Sequence, residues 1–320
     1  MKRALLFTLA LLVSVGAQAQ GWPTKPVTMV NPFAPGGGVD AFGRPLSVYL
    51  SRTLGQQFLV ENLAGAGGTV GAANAAKRAG DGYNFFLGAV HHTIAESLYT
   101  KLPYSLERDF VPVTVLAYVP NVVVMHPKNA QIGSIRELIA FAKANPGKLN
   151  YGSAGNGTTH HLAGELFKTM AGVQLTHIPY KGAGPMMQDL LAGQVDMAFD
   201  GMGTSAPQIK AGKLKALAVT TEKRSFVDPS VPTMQEAGLP GYVVTTWYAL
   251  WAVKGTPKEA LDRMYQETVK ALQAPEMKVV WEAQGATAGG EPPAEFAKLI
   301  HSEIAKWAKV VADAGAKVDN

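Results

Sequence analysis

The chain has 320 residues and no cysteine, which excludes disulfides, thiolate metal centres and a lipid attached through cysteine. Its formal net charge of +5 comes without a basic run, so nucleic acid is not an expected partner. A hydrophobic content of 47%, punctuated by 34 glycines and 20 prolines, suits a packed α/β protein, and the length favours two domains of about 100–200 residues each.

Lys2 and Arg3 precede an apolar stretch over 4–15, and Ala17-Gln18-Ala19 offers an A-x-A cleavage site. That is the layout of a secretory signal peptide over 1–19, and the expected location is the bacterial periplasm. No later stretch is apolar for long enough to span a bilayer. A strand is predicted over 27–31; it runs into the sequence N-P-F-A-P-G-G-G-V-D, Asn31 to Asp40, and a helix over 41–54 follows. Strands over 58–61 and 84–90 enclose a small-residue helix over 70–78, and this alternation implies a parallel sheet. The β-rich runs 111–119 and 121–125 are separated by Pro120, which is expected to end one strand and start the next at a crossing between domains.

Beyond Pro120 a second α/β set is predicted. A capping box, Ser134-Ile135-Arg136-Glu137, opens a helix to about 144. Strands follow over 149–153, 175–179, 195–200 and 214–220, with helices over 158–171 and 184–192. The aromatic run 245–253 fits a return crossing. Thr256-Pro257 has the spacing of an N-cap followed by proline for a helix to about 273, and 292–314 reads as a long helix with Phe296, Ile300, Ile304 and Trp307 on its core stripe. The expected architecture is α/β with a discontinuous first domain, 20–121 with 245–320, and a second domain, 122–244, inserted into it. Two crossing strands make the hinge, and the cleft lies at the C-terminal ends of both sheets.

Gly36, Gly37 and Gly38 can turn their amides inward and let a ligand approach, while the helix behind them adds unpaired N–H groups and a positive dipole end. Strand, glycine loop and helix together hold an anion. The same residues satisfy G-x-G-x-x-G/A, with Glu61 about twenty residues on, so a dinucleotide site is the rival reading. Export argues against it, and Pro32 and Pro35 stiffen the turn. Asp40 is expected to cap the helix. Ser153-Ala154-Gly155-Asn156-Gly157-Thr158-Thr159 is a second loop of the same type, leading to His160 and His161. Ser153 with His160 and Asp200 would make a hydrolytic triad, but Tyr151 stands where the nucleophile elbow needs glycine.

The pairs His91-His92 and His160-His161 are poorly placed to chelate one ion, since neighbours on a helix point about 100° apart. No metal is expected. His91 and His92 are candidates for polar contact with a ligand, Phe33 and Tyr180 for flanking it, and Asp200 for selecting a polar group. No arginine lies in either loop, which suits reversible capture of a carboxylate better than phosphoryl chemistry.

Taken together, P-F-A-P-G-G-G-V-D (32–40), V-E-N (60–62), G-A-G-G-T-V-G (65–71), D-G-Y (81–83), Y-G-S-A-G-N-G-T-T-H-H-L-A-G-E (151–165), P-Y-K-G (179–182), G-Q-V-D (193–196) and E-A-G-L-P-G (236–241) resemble the Bug family, the periplasmic substrate-binding proteins of tripartite tricarboxylate transporters. The resemblance runs through nearly all of the chain after the signal peptide. It implies a two-lobed periplasmic binding protein of type II, a Venus flytrap that closes on an organic carboxylate. In such proteins the loops matching Phe33–Asp40 and Ser153–His161 clamp one carboxylate, often through ordered water, which brings in Pro35, Ala154, Gly155, Thr158 and Thr159. More variable positions read the far end of the ligand. Two departures, Leu63-Ala64 where relatives usually carry Arg-Pro and Glu96-Ser97 where many carry Asn-Pro, leave the contacts of His91, His92 and Thr93 open. The expected function is a non-enzymatic, monomeric receptor for a small mono- or dicarboxylate, aromatic acids included, that needs no cofactor and delivers its ligand to two membrane subunits. A secreted nucleotide-using enzyme and a module presenting its ligand to a membrane sensor kinase are the alternatives.

Overall fold

The computed structural model describes residues 21–313, so the expected signal peptide lies outside the described residues. In the first half of the molecule β1 (Val27–Asn31) pairs in parallel with β2 (Phe58–Asn62) and β3 (Asn84–Ala89), as the strand–helix alternation predicts. In the second half β5 (Asn150–Ser153) pairs in parallel with β6 (Thr176–Pro179) and β7 (Met197–Gly201). β8 (Lys215–Val219) and β9 (Thr245–Val253) are antiparallel to β4 (Phe110–Met125), and β9 also lies antiparallel to β3.

β4 joins the halves and corrects one expectation. Pro120 does not end a strand: Phe110–Met125 is a single strand of 16 residues. Phe110 to Pro120 pair with β9, whereas Asn121 to Met125 pair with β7 and β8. Pro120 sits where the partner changes, a point at which its missing N–H costs no ladder bond. The return crossing is also displaced, because β9 lies wholly in the first half. The chain comes back just before it, at Val244, whose N–H donates to the Thr220 carbonyl at 3.0 Å.

Helices cover the sheet faces. α1 (Gly38–Leu54) starts three residues earlier than expected, with extended Gly37 as its N-cap. Pro45 lies inside it and leaves the Ala41 carbonyl without its helical partner; Gln284 Nε2 donates to that carbonyl instead, at 3.3 Å. Ser134 accepts the Glu137 N–H as a capping box requires, but the Glu137 carboxylate reaches the Gly133 amide, one residue earlier, at 2.6 Å. Pro257, not Thr256, holds the N-cap position of the helix Lys258–Gln273, and the Thr256 hydroxyl donates back to Val253. The helices His91–Leu98 and Pro275–Ala283 have no counterpart in the sequence reading. The first is buried on nearly every side and only eight residues long, too short for its period to stand out. Pro293–Asp313 buries Phe296, Ile300 and Trp307 against Trp247 and Trp251.

Candidate functional site

The glycine loop is held from behind by four side chains. Asn31 accepts the Phe33 N–H at 3.0 Å and donates to Asp40 at 3.3 Å. Asp40 also takes the Gly36 N–H at 3.1 Å and both prongs of Arg44, at 2.9 and 2.8 Å. Asp40 is therefore the acid in the third position of α1 that reaches back to the loop, not the N-cap residue. Asn62 closes the frame by accepting from Arg44 at 3.0 Å and donating to the Phe33 carbonyl at 2.8 Å.

Burial pushes the Asp40 carboxyl upward, but Arg44 and the Gly36 amide outweigh it and hold the group below its ordinary 3.8. A depressed carboxylate contributes stability above its ordinary value and loses it as pH falls through the lower folded value. Asp40→Asn is thus expected to cost about 1–3 kcal/mol at neutral pH. The gap from the unaltered protein should close as pH falls below 3.8, which denaturant unfolding at a series of pH values measures.

This loop forms one wall of a cavity lined by Phe33, Gly37, Gly38, Val39, His91, Ala154, Thr158, Thr159, His160, Ala183, Thr246 and Tyr248. Four helices begin at the cavity: α1, His91–Leu98, Thr159–Ala171 and Ala183–Leu191. The sequence points to two such ends. Thr158 caps the third helix by accepting the His161 N–H, while the starts of the first and fourth have no side-chain cap. Each helix end favours an anion by about 0.3–1 kcal/mol when exposed and up to about 2 when partly buried. The lining contains no lysine or arginine, so the attraction comes from backbone dipoles.

The floor is polar and buried. Asp200 is fully buried; one carboxylate oxygen accepts from the Thr204 hydroxyl and from Ser205 at 2.6 Å, and the other, Oδ1, has no partner. His160 Nδ1 lies 3.6 Å from that oxygen and is itself unpartnered. Burial lowers the His160 pKa, with Asp200 opposing. Burial, helped by His92 and His160, puts His91 well below the ordinary imidazole value. The ring of His91 stands edge-on to Phe33 at 4.8 Å. The Thr159 and Thr246 hydroxyls share a 2.7 Å bond, and Thr246 donates onward to Asn121.

Of the residues singled out in the sequence, Phe33, Gly37, Gly38, His91, Ala154, Thr158, Thr159 and His160 meet at the cavity. Pro35, Gly36, Asp40 and Gly155 shape the two loops, and Asp200 underlies His160. Three others are not in the cavity lining. His92 accepts the Ala89 N–H at 3.1 Å, the Thr93 hydroxyl returns to the Val90 carbonyl at 2.6 Å, and Tyr180 donates to Asp189 at 2.7 Å. Val39, Ala183, Thr246 and Tyr248 escaped the sequence reading. For the last two a signal exists: hydroxyls at alternate positions of an otherwise apolar strand share one face.

The rival readings fare poorly against this geometry. Ser153 is fully buried and bonds His177 Nε2 at 2.6 Å, apart from both His160 and Asp200. At Gly38 the space that a dinucleotide site keeps for pyrophosphate is filled, since a Cβ there would lie 2.0 Å from Tyr248 Oη. Glu61, the ribose-binding acid of that reading, pairs instead with Arg78 at 2.8 Å. Among the described residues no three His, Cys, Asp or Glu side chains could hold one metal ion, and no helix is long and apolar enough to cross a membrane.

The two walls touch. Ala34 donates to the Lys181 carbonyl at 3.1 Å, and the Tyr99 hydroxyl reaches the carbonyls of Ala66 at 3.0 Å and Asn156 at 3.3 Å. Where backbones approach, glycines make room: a Cβ at Gly184 would lie 2.3 Å from the Pro35 oxygen, and one at Gly67 2.1 Å from the Asn156 oxygen. With the walls in contact the cavity is about 20 Å³, room for about one water molecule, so an organic acid enters only when they part.

Comparison with known proteins places this arrangement. The chain is 38% identical to Protein BugT of Bordetella pertussis over 308 residues, spanning 96% of this chain and 94% of BugT. Among solved structures, R. palustris Rpa4515 with adipate superposes with a TM-score of 0.89 at 38% identity, covering 93% of this chain and all of the other. MatC from Rhodopseudomonas palustris with bound malate gives 0.86 at 33% identity, covering 91% of this chain and all of the other. The sequence profile described as "Tripartite tricarboxylate transporter family receptor" matches residues 43–316. The α/β fold is that of a two-lobed periplasmic binding protein, and the chain belongs to the tripartite tricarboxylate transporter receptor family.

Proposed function

We propose that this chain is a periplasmic solute receptor that captures a small organic mono- or dicarboxylate in its cleft and delivers it to the membrane subunits of a tripartite transporter. One observation carries the reading: four helix N-termini open on a single cavity whose lining has no cationic side chain. Such a site attracts an anion strongly enough to bind and weakly enough to release it. That similar structures hold adipate and malate, both dicarboxylates, supports the class. The loops carrying Phe33, Gly37, Gly38, Thr158, Thr159 and His160 contact the ligand directly, and the Asn31–Asp40–Arg44–Asn62 frame keeps the first of them in shape. The chain acts by binding and release, with no chemical step.

Among the described residues the two lobes are 21–121 with 245–313, and 122–244. The change of partner along β4 at Pro120 and the return at Val244 support that division. Closure of the lobes shifts the population of states through contacts made by both. The test is a thermal-shift screen of organic acids on protein freed of co-purified ligand by unfolding and refolding. An acid present at 100 times its Kd adds about 2.7 kcal/mol, a shift of several degrees. Indifference to every carboxylate would refute the proposal.

A further inference from the structure

We infer that Asp200 fixes His160 as the Nδ1–H tautomer, so that Nε2 offers the cleft a lone pair, and that the bound carboxylate carries a hydroxyl or amino donor to meet it. The inference rests on the carboxylate reading above and narrows it to substituted acids.

Asp200 Oδ2 is occupied by the hydroxyls of Thr204 and Ser205, and Oδ1 is left without a partner in a fully buried side chain. The Nδ1 of His160, also buried and unpartnered, faces Oδ1 at 3.6 Å. Neither atom has another hydrogen-bond partner among the described residues, and the pair is a few tenths of an ångström from bonding distance. Where a carboxylate oxygen faces a neutral imidazole nitrogen the ring N–H is the donor, so the structure assigns the proton of that pair to Nδ1. Burial keeps the ring neutral despite the nearby carboxylate. A neutral ring protonated at Nδ1 presents an acceptor at Nε2.

That acceptor lies beside the cavity. His160 and Tyr248 both line it, and with Nδ1 turned toward Asp200 the ring nitrogen left for a ligand is Nε2. Tyr248 can donate or accept there, whereas Nε2 can only accept. A carboxylate oxygen placed against Nε2 would meet lone pair with lone pair; a hydroxyl or ammonium group would be bonded. The helix ends take the carboxylate, and His160 reads the substituent.

Calorimetric titration of refolded protein with succinate, malate and aspartate tests this, together with long-range ¹H–¹⁵N spectra of His160. The expected results are binding of malate or aspartate at least about tenfold tighter than succinate and a His160 ring protonated at Nδ1 alone. In Asp200→Asn the side-chain amide donates toward Nδ1, the tautomer reverses, and the preference for the substituted acid falls about tenfold. If that variant does not fold, the spectrum of the unaltered protein and its ratio of affinities decide. Equal affinity for succinate and for both substituted acids, or a wild-type ring protonated at Nε2, overturns the inference and leaves the carboxylate reading standing. Failure of these acids and of the whole organic-acid screen overturns both.

Discussion

Gly38→Ala is expected to weaken carboxylate binding by at least about 100-fold and to cost the fold about 1–3 kcal/mol. The φ of Gly38 lies outside the left-handed region, so alanine brings no backbone strain there. Contact alone does the damage: the new methyl would sit 2.0 Å from Tyr248 Oη and 2.5 Å from Cζ. Tyr248 has nowhere to go. Its ring stacks on Phe42 at 5.3 Å and is held in mid-strand by β3 on one side and β4 on the other. Either the ring or the first turn of α1 must therefore move, and either movement takes the loop amides away from the cavity. Tyr248→Phe in the same background removes the nearest atom but leaves the one at 2.5 Å, so it should restore only part of the stability. Thermal unfolding and titration with the best acid of the screen measure both effects. Wild-type affinity in Gly38→Ala would mean that the ligand binds elsewhere.

Much of this site could be read from the sequence because its parts are local. β1 occupies Val27–Asn31 as predicted, and most of the other expected strands and helices fall within a few residues, because alternating strand and helix periods with glycine punctuation leave few options. Each loop follows a parallel strand and precedes a helix, so both had to open at the same end of the sheet. What could not be read depends on pairing between distant segments. Tyr248 reaches Gly38 only because β9 inserts between β3 and β4. Ser153 meets His177 because β5 and β6 pair in a particular register. The helix at His91 adds a third dipole, and at eight residues it is too short for its apolar period to mark it. Pro120 misled for the opposite reason. Its local effect is real, but the change of hydrogen-bond partner at that residue absorbs it.

Gly184→Ala should separate closure from folding. Gly184 lies in the first turn of the helix Ala183–Leu191 at a φ outside the left-handed region, so alanine there is neutral to favourable, by up to about 1 kcal/mol, for the helix taken alone. Its Cβ is tolerated only while the Pro35 carbonyl stays away, because in the closed arrangement the two would be 2.3 Å apart. The obstacle is backbone on one side and a helix start on the other, so neither yields by a side-chain rotation. The ligand-free protein is therefore expected to keep its melting temperature or gain a degree or two, while affinity falls by at least about 100-fold. Small-angle scattering should show the radius of gyration of the unaltered protein shrinking on addition of ligand and that of Gly184→Ala staying put. This pairing of results sets the variant apart from Gly38→Ala, which loses stability and binding together. If Gly184→Ala bound with full affinity, the contact between Pro35 and Gly184 would be incidental to capture, and the ligand would have to be held by one lobe alone.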